Sequence, residues 1–230
     1  MLMSPVIGHR GAAGLVPENT LDSIRKAASL GCGWIEADAC LLADGEVVLF
    51  HDETLDRCTN GTGRVRIQAW DEVRKLDAGN GLKVPLLTEA IDLCRGLGLG
   101  FNIELKVQED EGVELASAVS RIVKGRDCGE LLISSFDQAA LTAFDLPYRK
   151  GLICEDLPEN WQEVDCVSVH QSVNHVSKQT VHALKAAGKE VYVFTVNEAT
   201  KAQELFDMGV DGFFSDRPDR LTGPAHPRTA

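Results

Sequence analysis

Short apolar runs alternate along the chain with stretches in which apolar positions recur every three or four residues. The first pattern is that of buried strands, the second that of helices with one apolar face. The runs lie at Pro5–Gly8, Trp34–Leu42, Gly100–Lys106, Leu131–Ser134, Tyr148–Ile153, Cys166–Val169, Val191–Thr195 and Gly212–Ser215. The helical stretches are Asn19–Leu30, Thr88–Leu97, Gly112–Lys124, Asp137–Phe144, Lys178–Ala187 and Glu198–Asp207. In the first, Leu21, Ile24 and Ala28 share a face. Asn19 is its expected N-cap, Asp22 stands near the positive end of its dipole, and Gly31 is its expected stop.

Repeated strand–helix alternation predicts parallel strands joined by right-handed crossovers. Eight strand positions predict an α/β fold, a closed TIM (β/α)8 barrel, as a single domain over residues 1–230. An open doubly wound sheet would favour a dinucleotide glycine loop after the first strand, and GHRGAAG lacks that spacing. One segment breaks the alternation. It begins LLADGEVVLFHDETLDRCTNGTG and is rich in Gly, Asn, Asp and Thr. It predicts a hairpin, then a small insertion at about residues 52–86 over one end of the barrel. The closing GPAHPRTA predicts a loose tail, and Asp216 is expected to cap a short helix at Arg217–Leu221.

Apolar residues make up 44% of the 230 positions, enough for a sizeable core. The net charge of −12 argues against a nucleic-acid or anionic-membrane surface, yet leaves room for an anionic small substrate at a locally basic site. Seven cysteines, odd in number and without C-x-x-C spacing, predict reduced thiols and neither a disulfide framework nor a thiolate zinc site. The N-terminus lacks a secretory pattern and no apolar run reaches membrane-spanning length. The expectation is a cytoplasmic chain without stable membrane insertion. No patterned interface marks an oligomeric state.

Charge concentrates where the strands end, the reactive end of such a barrel. His9 and Arg10 close the first strand, Glu36 and Asp38 lie on the second, and Glu104 and Lys106 close the third. Positions two apart share a strand face, so Glu36 points with Asp38, and Glu104 with Lys106. Three carboxylates on neighbouring strands form a hard-oxygen site for one divalent cation, Mg²⁺ or Ca²⁺. Three carboxylates against Arg10 and Lys106 leave one net negative charge, which a divalent cation reverses. If Asp44-Gly45 forms a two-residue turn, Asp38 stands opposite His51, about 5 Å away. Two imidazoles can then act as general base and general acid near neutral pH. Arg10 and Lys106 can hold phosphate oxygens. Glu155 after the fifth strand, His170 at the end of the sixth, and Phe194 at the barrel mouth are further pocket candidates.

The stretches GHRGAAGLVPENT, IEADACLLADGEVVLFHDETLDRCTNGTG, IELK, FTVNE and DGFFSDRPD span nearly the whole chain. In that order the sequence resembles the glycerophosphodiester phosphodiesterase family. The resemblance implies a TIM barrel with an insertion after its second strand. It implies metal-dependent hydrolysis of glycerophosphodiesters to glycerol 3-phosphate and an alcohol, in lipid and glycerol metabolism. It carries the family's metal carboxylates onto Glu36, Asp38 and Glu104, its catalytic histidines onto His9 and His51, and its phosphate-binding positions onto Arg10 and Lys106. Phe194 departs from the family's usual Trp, which bears on the shape of the pocket for the alcohol or glycerol. Either water or the glycerol 2-hydroxyl can serve as nucleophile. Barrels acting on lysophospholipids or sphingomyelin, and a phosphate-ligand binder without catalysis, are the alternative readings.

Overall fold

The alternating runs become nine strands of one sheet in the structure, a computed structural model that describes residues 5–222. They are β1 (Val6–Gly8), β2 (Trp34–Leu41), β3 (Val47–Leu49), β4 (Gly100–Leu105), β5 (Leu131–Ser135), β6 (Arg149–Cys154), β7 (Ser168–Ser172), β8 (Glu190–Phe194) and β9 (Gly212–Ser215). All but β3 are parallel, and β1 bonds both β9 and β2, which closes an eight-stranded barrel. The helices are α1 (Leu21–Ser29), α2 (Trp70–Val73), α3 (Leu87–Leu97), α4 (Gly112–Val123), α5 (Gln138–Ala143), α6 (Lys178–Ala186) and α7 (Ala199–Met208). The β6-to-β7 crossover carries only a 3₁₀ turn at Trp161–Glu163. The expected tail, GPAHPRTA, lies outside the described residues.

Alternation along each strand divides the side chains between two cores. One face packs against the helices, burying Ile35, Ile103, Ile133, Val169 and Val191. The other fills the barrel, where Ile7, Trp34, Leu132, Tyr192 and Phe214 form a separate buried cluster, one residue from each of five strands. Trp34 fits because its β4 neighbour is Gly100, where a Cβ would stand 2.1 Å from the indole ring. Two residues beyond Trp34 on the same face comes Glu36, then Asp38. The apolar plug thus ends where the carboxylates begin.

Two local expectations need correction. The N-cap of α1 is Thr20, not Asn19: Thr20 has an extended backbone and its Oγ1 accepts from Ser23 N at 3.2 Å. Asn19 instead holds a φ of 57° and turns its amide toward the barrel. Gly31, at a φ of 86°, follows the helix end as expected. The β2–β3 hairpin is one residue out of the expected register: Ala39 pairs Leu49 and Leu41 pairs Val47. The loop holds three residues, Ala43, Asp44 and Gly45, with Gly45 at a φ of 87°, a geometry a two-residue turn signal does not distinguish. Asp44 secures the loop by accepting from Trp70 N at 2.7 Å. Phe50, not His51, therefore faces Asp38, with Phe50 N donating to Asp38 O at 2.9 Å. His51 is the next residue, just past the paired region.

The insertion between β3 and α3 has its own small core, which buries Cys40, Leu42, Val48, Phe50, Leu55 and Val65. Arg66 reaches Glu114 of α4 at 2.7 Å, Arg64 pairs with Glu109, and Gln108 Nε2 donates to Asp52 O at 2.7 Å. These contacts hold the insertion over the barrel end where β2 and β4 finish. All seven cysteines are free thiols. Among the described residues no helix is long and apolar enough to cross a membrane.

Ile103 is fully buried between β4 and the helices. Ile103→Ala is expected to lower stability by about 2–5 kcal/mol, read as a shifted urea midpoint with an unchanged m-value.

Candidate active site

Three buried carboxylates stand at the top of the barrel. Glu36 and Asp38 come from β2 and Glu104 from β4, with one oxygen of each within 4.8 Å of the others. Parallel pairing in which Asp38 is the register partner of Glu104 brings them together. Burial raises the pKa of Glu36, and the charge of Asp38 raises it further. Glu104 is raised for the same two reasons in the same order. Such a cluster needs positive charge to stay ionised.

The chain supplies some of that charge. Lys106 Nζ lies 3.0 Å from Glu104 Oε1 and 3.8 Å from Asp38 Oδ1. It also stands 5.6 Å above the ring of Phe136. Arg10 has its Nε 3.2 Å from Asp38 Oδ2, and its backbone N–H donates to Glu36 Oε2 at 3.0 Å. Arg10 holds a φ of 48°, which aims that amide at the carboxylate. Asn19 braces Asp38 from both sides: its Nδ2 donates to Oδ2 at 2.8 Å, and its Oδ1 accepts from the Asp38 backbone at 3.1 Å. One buried oxygen, Glu36 Oε1, has no hydrogen-bond partner. A buried acceptor without a donor is costly. An oxygen-only donor set with one acceptor still unsatisfied fits a hard divalent cation.

Two imidazoles line the same cavity, whose volume is about 270 Å³. His9 Nδ1 donates to Asp216 Oδ1 at 2.7 Å, and His51 Nδ1 donates to Asp52 Oδ1 at 2.7 Å. A carboxylate can only accept, so each ring carries its proton on Nδ1 and leaves Nε2 for other chemistry. His9 Nε2 is 3.8 Å from Glu36 Oε2. Burial works against the His9 imidazolium, but the Asp216 hydrogen bond and the charge of Glu36 outweigh it and the pKa is raised. His51 is lowered, first by burial and then by the neighbouring cations Arg10 and Lys106.

The sequence does not mark Asp216 and Asp52 as holders of the histidines. Asp216 was expected to cap the last short helix, but Arg217 holds that position. Asp216 reaches His9 because β9 pairs with β1, across a separation of 207 residues. Asn197 of the FTVNE stretch fixes it, donating to Asp216 Oδ2 at 3.0 Å and accepting from Asp216 N at 2.9 Å. For Asp52 the only sequence signal is its place directly after His51.

The remaining pocket candidates divide. Phe194 lines the cavity and meets Phe136 edge to face at 5.9 Å. His170 also borders the cavity but does not end its strand, because β7 continues to Ser172. Its ring is 1% exposed and hydrogen-bonds Ser168 Oγ at 2.9 Å. Burial drives its pKa down to about 3, so it stays neutral. Glu155 is exposed and away from the cavity, with His175 Nε2 4.0 Å from its carboxylate, because β6 ends at Cys154 and the chain turns outward.

Comparison with known proteins places the chain among phosphodiesterases. The model of the glycerophosphoryl diester phosphodiesterase family matches residues 9–220. The chain is 32% identical to a glycerophosphodiester phosphodiesterase of Caldanaerobacter subterraneus subsp. tengcongensis, over 94% of this chain and 95% of that one. It is 30% identical to one from Bacillus subtilis, over 95% and 86% of the two chains. A phosphodiesterase of Oleispira antarctica, solved in complex with the product sn-glycerol-3-phosphate, superposes with a TM-score of 0.91 at 34% identity, covering 95% of both chains. Barrel, carboxylate cluster and near-complete alignment agree that this chain belongs to the glycerophosphoryl diester phosphodiesterase family.

Proposed function

We propose that the chain hydrolyses glycerophosphodiesters to sn-glycerol 3-phosphate and an alcohol, using one divalent cation, Mg²⁺ or Ca²⁺, and two histidines. The observation that carries this reading is one cavity shared by two carboxylate-held imidazoles and a buried three-carboxylate cluster. The product bound in the Oleispira antarctica relative supports the substrate class.

Glu36, Asp38 and Glu104 would hold the cation. When bound, it supplies Lewis-acid polarisation of a phosphoryl oxygen. Arg10 and Lys106 donate to the other phosphate oxygens and offset the charge of the diester. The two Nε2 atoms serve the proton transfers. One imidazole takes a proton from the attacking hydroxyl, of water or of the glycerol 2-position, and the other delivers one to the departing alcohol oxygen. Asp216 and Asp52 keep both rings in the tautomer this requires, and stabilise whichever ring becomes positive. Phe194, Phe136 and Phe214 give the cavity an apolar wall against which the carbon skeleton of the substrate can rest.

Without a cation the cluster repels a phosphodiester. Release of glycerol 3-phosphate from glycerophosphocholine is therefore expected to vanish in excess EDTA and to return with Mg²⁺ or Ca²⁺. Full activity in excess chelator would overturn the metal assignment. His9→Ala and His51→Ala are each expected to lower kcat by about 10²–10⁴-fold while leaving the thermal unfolding midpoint near that of the parent. With a nitrophenyl ester, whose leaving group needs no proton, one of the two variants regains turnover and thereby identifies the acid. Wild-type turnover in either variant removes that residue from the mechanism.

A further inference from the structure

Arg57, on the insertion, touches neither the cavity nor the carboxylate cluster, yet its guanidinium makes two forked contacts that lead to both. Nε and Nη2 donate to Asp52 Oδ2 and Oδ1 at 2.5 and 2.7 Å. Nη1 and Nη2 donate to Glu18 Oε2 and Oε1 at 2.8 and 2.8 Å. Asp52 is the carboxylate that holds His51 Nδ1. Glu18 is the carboxylate that accepts from Arg10 Nη1 at 2.7 Å. The groups thus form an unbroken series: Arg10, Glu18, Arg57, Asp52, His51. Its members come from the loop after β1 and from the insertion.

We infer that Arg57 is a positioning residue: by bridging Glu18 and Asp52 it locks His51 and Arg10 into one arrangement. The inference rests on the roles proposed for those two residues. Asp52 can hold an imidazole in one tautomer only if the carboxylate itself is held, and its other hydrogen bonds come from Arg57. Glu18 stays ionised, at a pKa of about 2, although burial works the other way, because Arg57 and Arg10 both donate to it. A planar fork can grip two carboxylates at fixed angles, which a lysine point charge cannot. Arg57 itself is half-exposed, so its replacement disturbs little packing.

The test uses the full chain with saturating Mg²⁺ and glycerophosphocholine. Arg57→Ala is expected to lower kcat about 10- to 100-fold with a smaller change in KM, the range seen when groups supporting a site residue are removed. Arg57→Lys does not restore it. In a double-mutant cycle with Asp52→Asn the losses do not add, because both changes release the same imidazole. Arg64→Ala, which breaks a different anchor of the insertion, leaves kcat unchanged. The ¹⁵N signals of the His51 ring, read at mildly alkaline pH where the ring is neutral, move from a pure Nδ1–H tautomer toward a mixture in Arg57→Ala. Wild-type kcat together with unmoved His51 signals overturns the inference, as does an equal loss in Arg64→Ala. If His51→Ala proves fully active, the two-histidine reading fails; the His51 signals then still decide whether Arg57 holds the ring, a shift supporting it and no shift refuting it.

Discussion

Three acidic side chains, nearly inaccessible to water and within hydrogen-bonding distance of a common point, are the constraint around which this barrel is arranged. Burying like charges is costly unless opposite charge or donors surround them. The first loop serves that need: Arg10 adopts a left-handed backbone that turns both its amide and its side chain to the cluster, and Asn19, also left-handed, turns its side-chain amide to Asp38. Lys106 completes the ring from β4. Two polar atoms of this group keep no hydrogen-bond partner: Glu36 Oε1, an acceptor that a cation or a proton can satisfy, and Arg10 Nε, a donor held to Asp38 by charge alone.

The apolar layer beneath explains why the charges can be held so closely. Trp34, Tyr192, Phe214, Leu132 and Ile7 plug the barrel from below and keep water from that side. Solvent and substrate then approach from the strand ends alone, where the insertion, the β8–α7 loop and the first loop converge. The two imidazoles sit at that boundary. Their supporting carboxylates come from opposite sources: Asp216 from the last barrel strand, Asp52 from the insertion that interrupts the second crossover. Barrel closure orients one histidine and insertion docking the other, so the site is sensitive to both parts of the fold.

Beside these polar groups, the cavity wall of this chain is aromatic. Phe194 and Phe136 form an edge-to-face pair there, with the Lys106 ammonium lying over the second ring. This sets an apolar surface beside the Lys106 ammonium at the cavity edge. The alcohol portion of a diester would meet the aromatic pair, while the phosphate meets the charged side.

The chain by itself determined the alternation of elements, and with it the parallel barrel, because a period of two or of about 3.6 is a local property of neighbouring residues. It also determined that Glu36 and Asp38 point together, since positions two apart must share a strand face, whereas the pairing of β2 with β4 brings Glu104 to them. It did not determine hairpin register, where a three-residue loop closed by Gly45 shifts every pair by one and moves His51 past Asp38. Nor did it determine the partners of the histidines and of Asp38. Asn19 reads as a helix cap in the sequence, and Asp216 as another, because a short polar side chain before a helix has that role unless something distant outcompetes it. Here β1 lies beside both β2 and β9, and the loop after β1 carries Asn19 to Asp38 while the end of β9 carries Asp216 to His9. Glu155 turns away from the cavity while His170 borders it, because where each strand ends, by one or two residues, decides whether a side chain turns out to solvent or into the barrel. Those choices depend on which strands become neighbours when the sheet closes, and only the closed sheet contains that information.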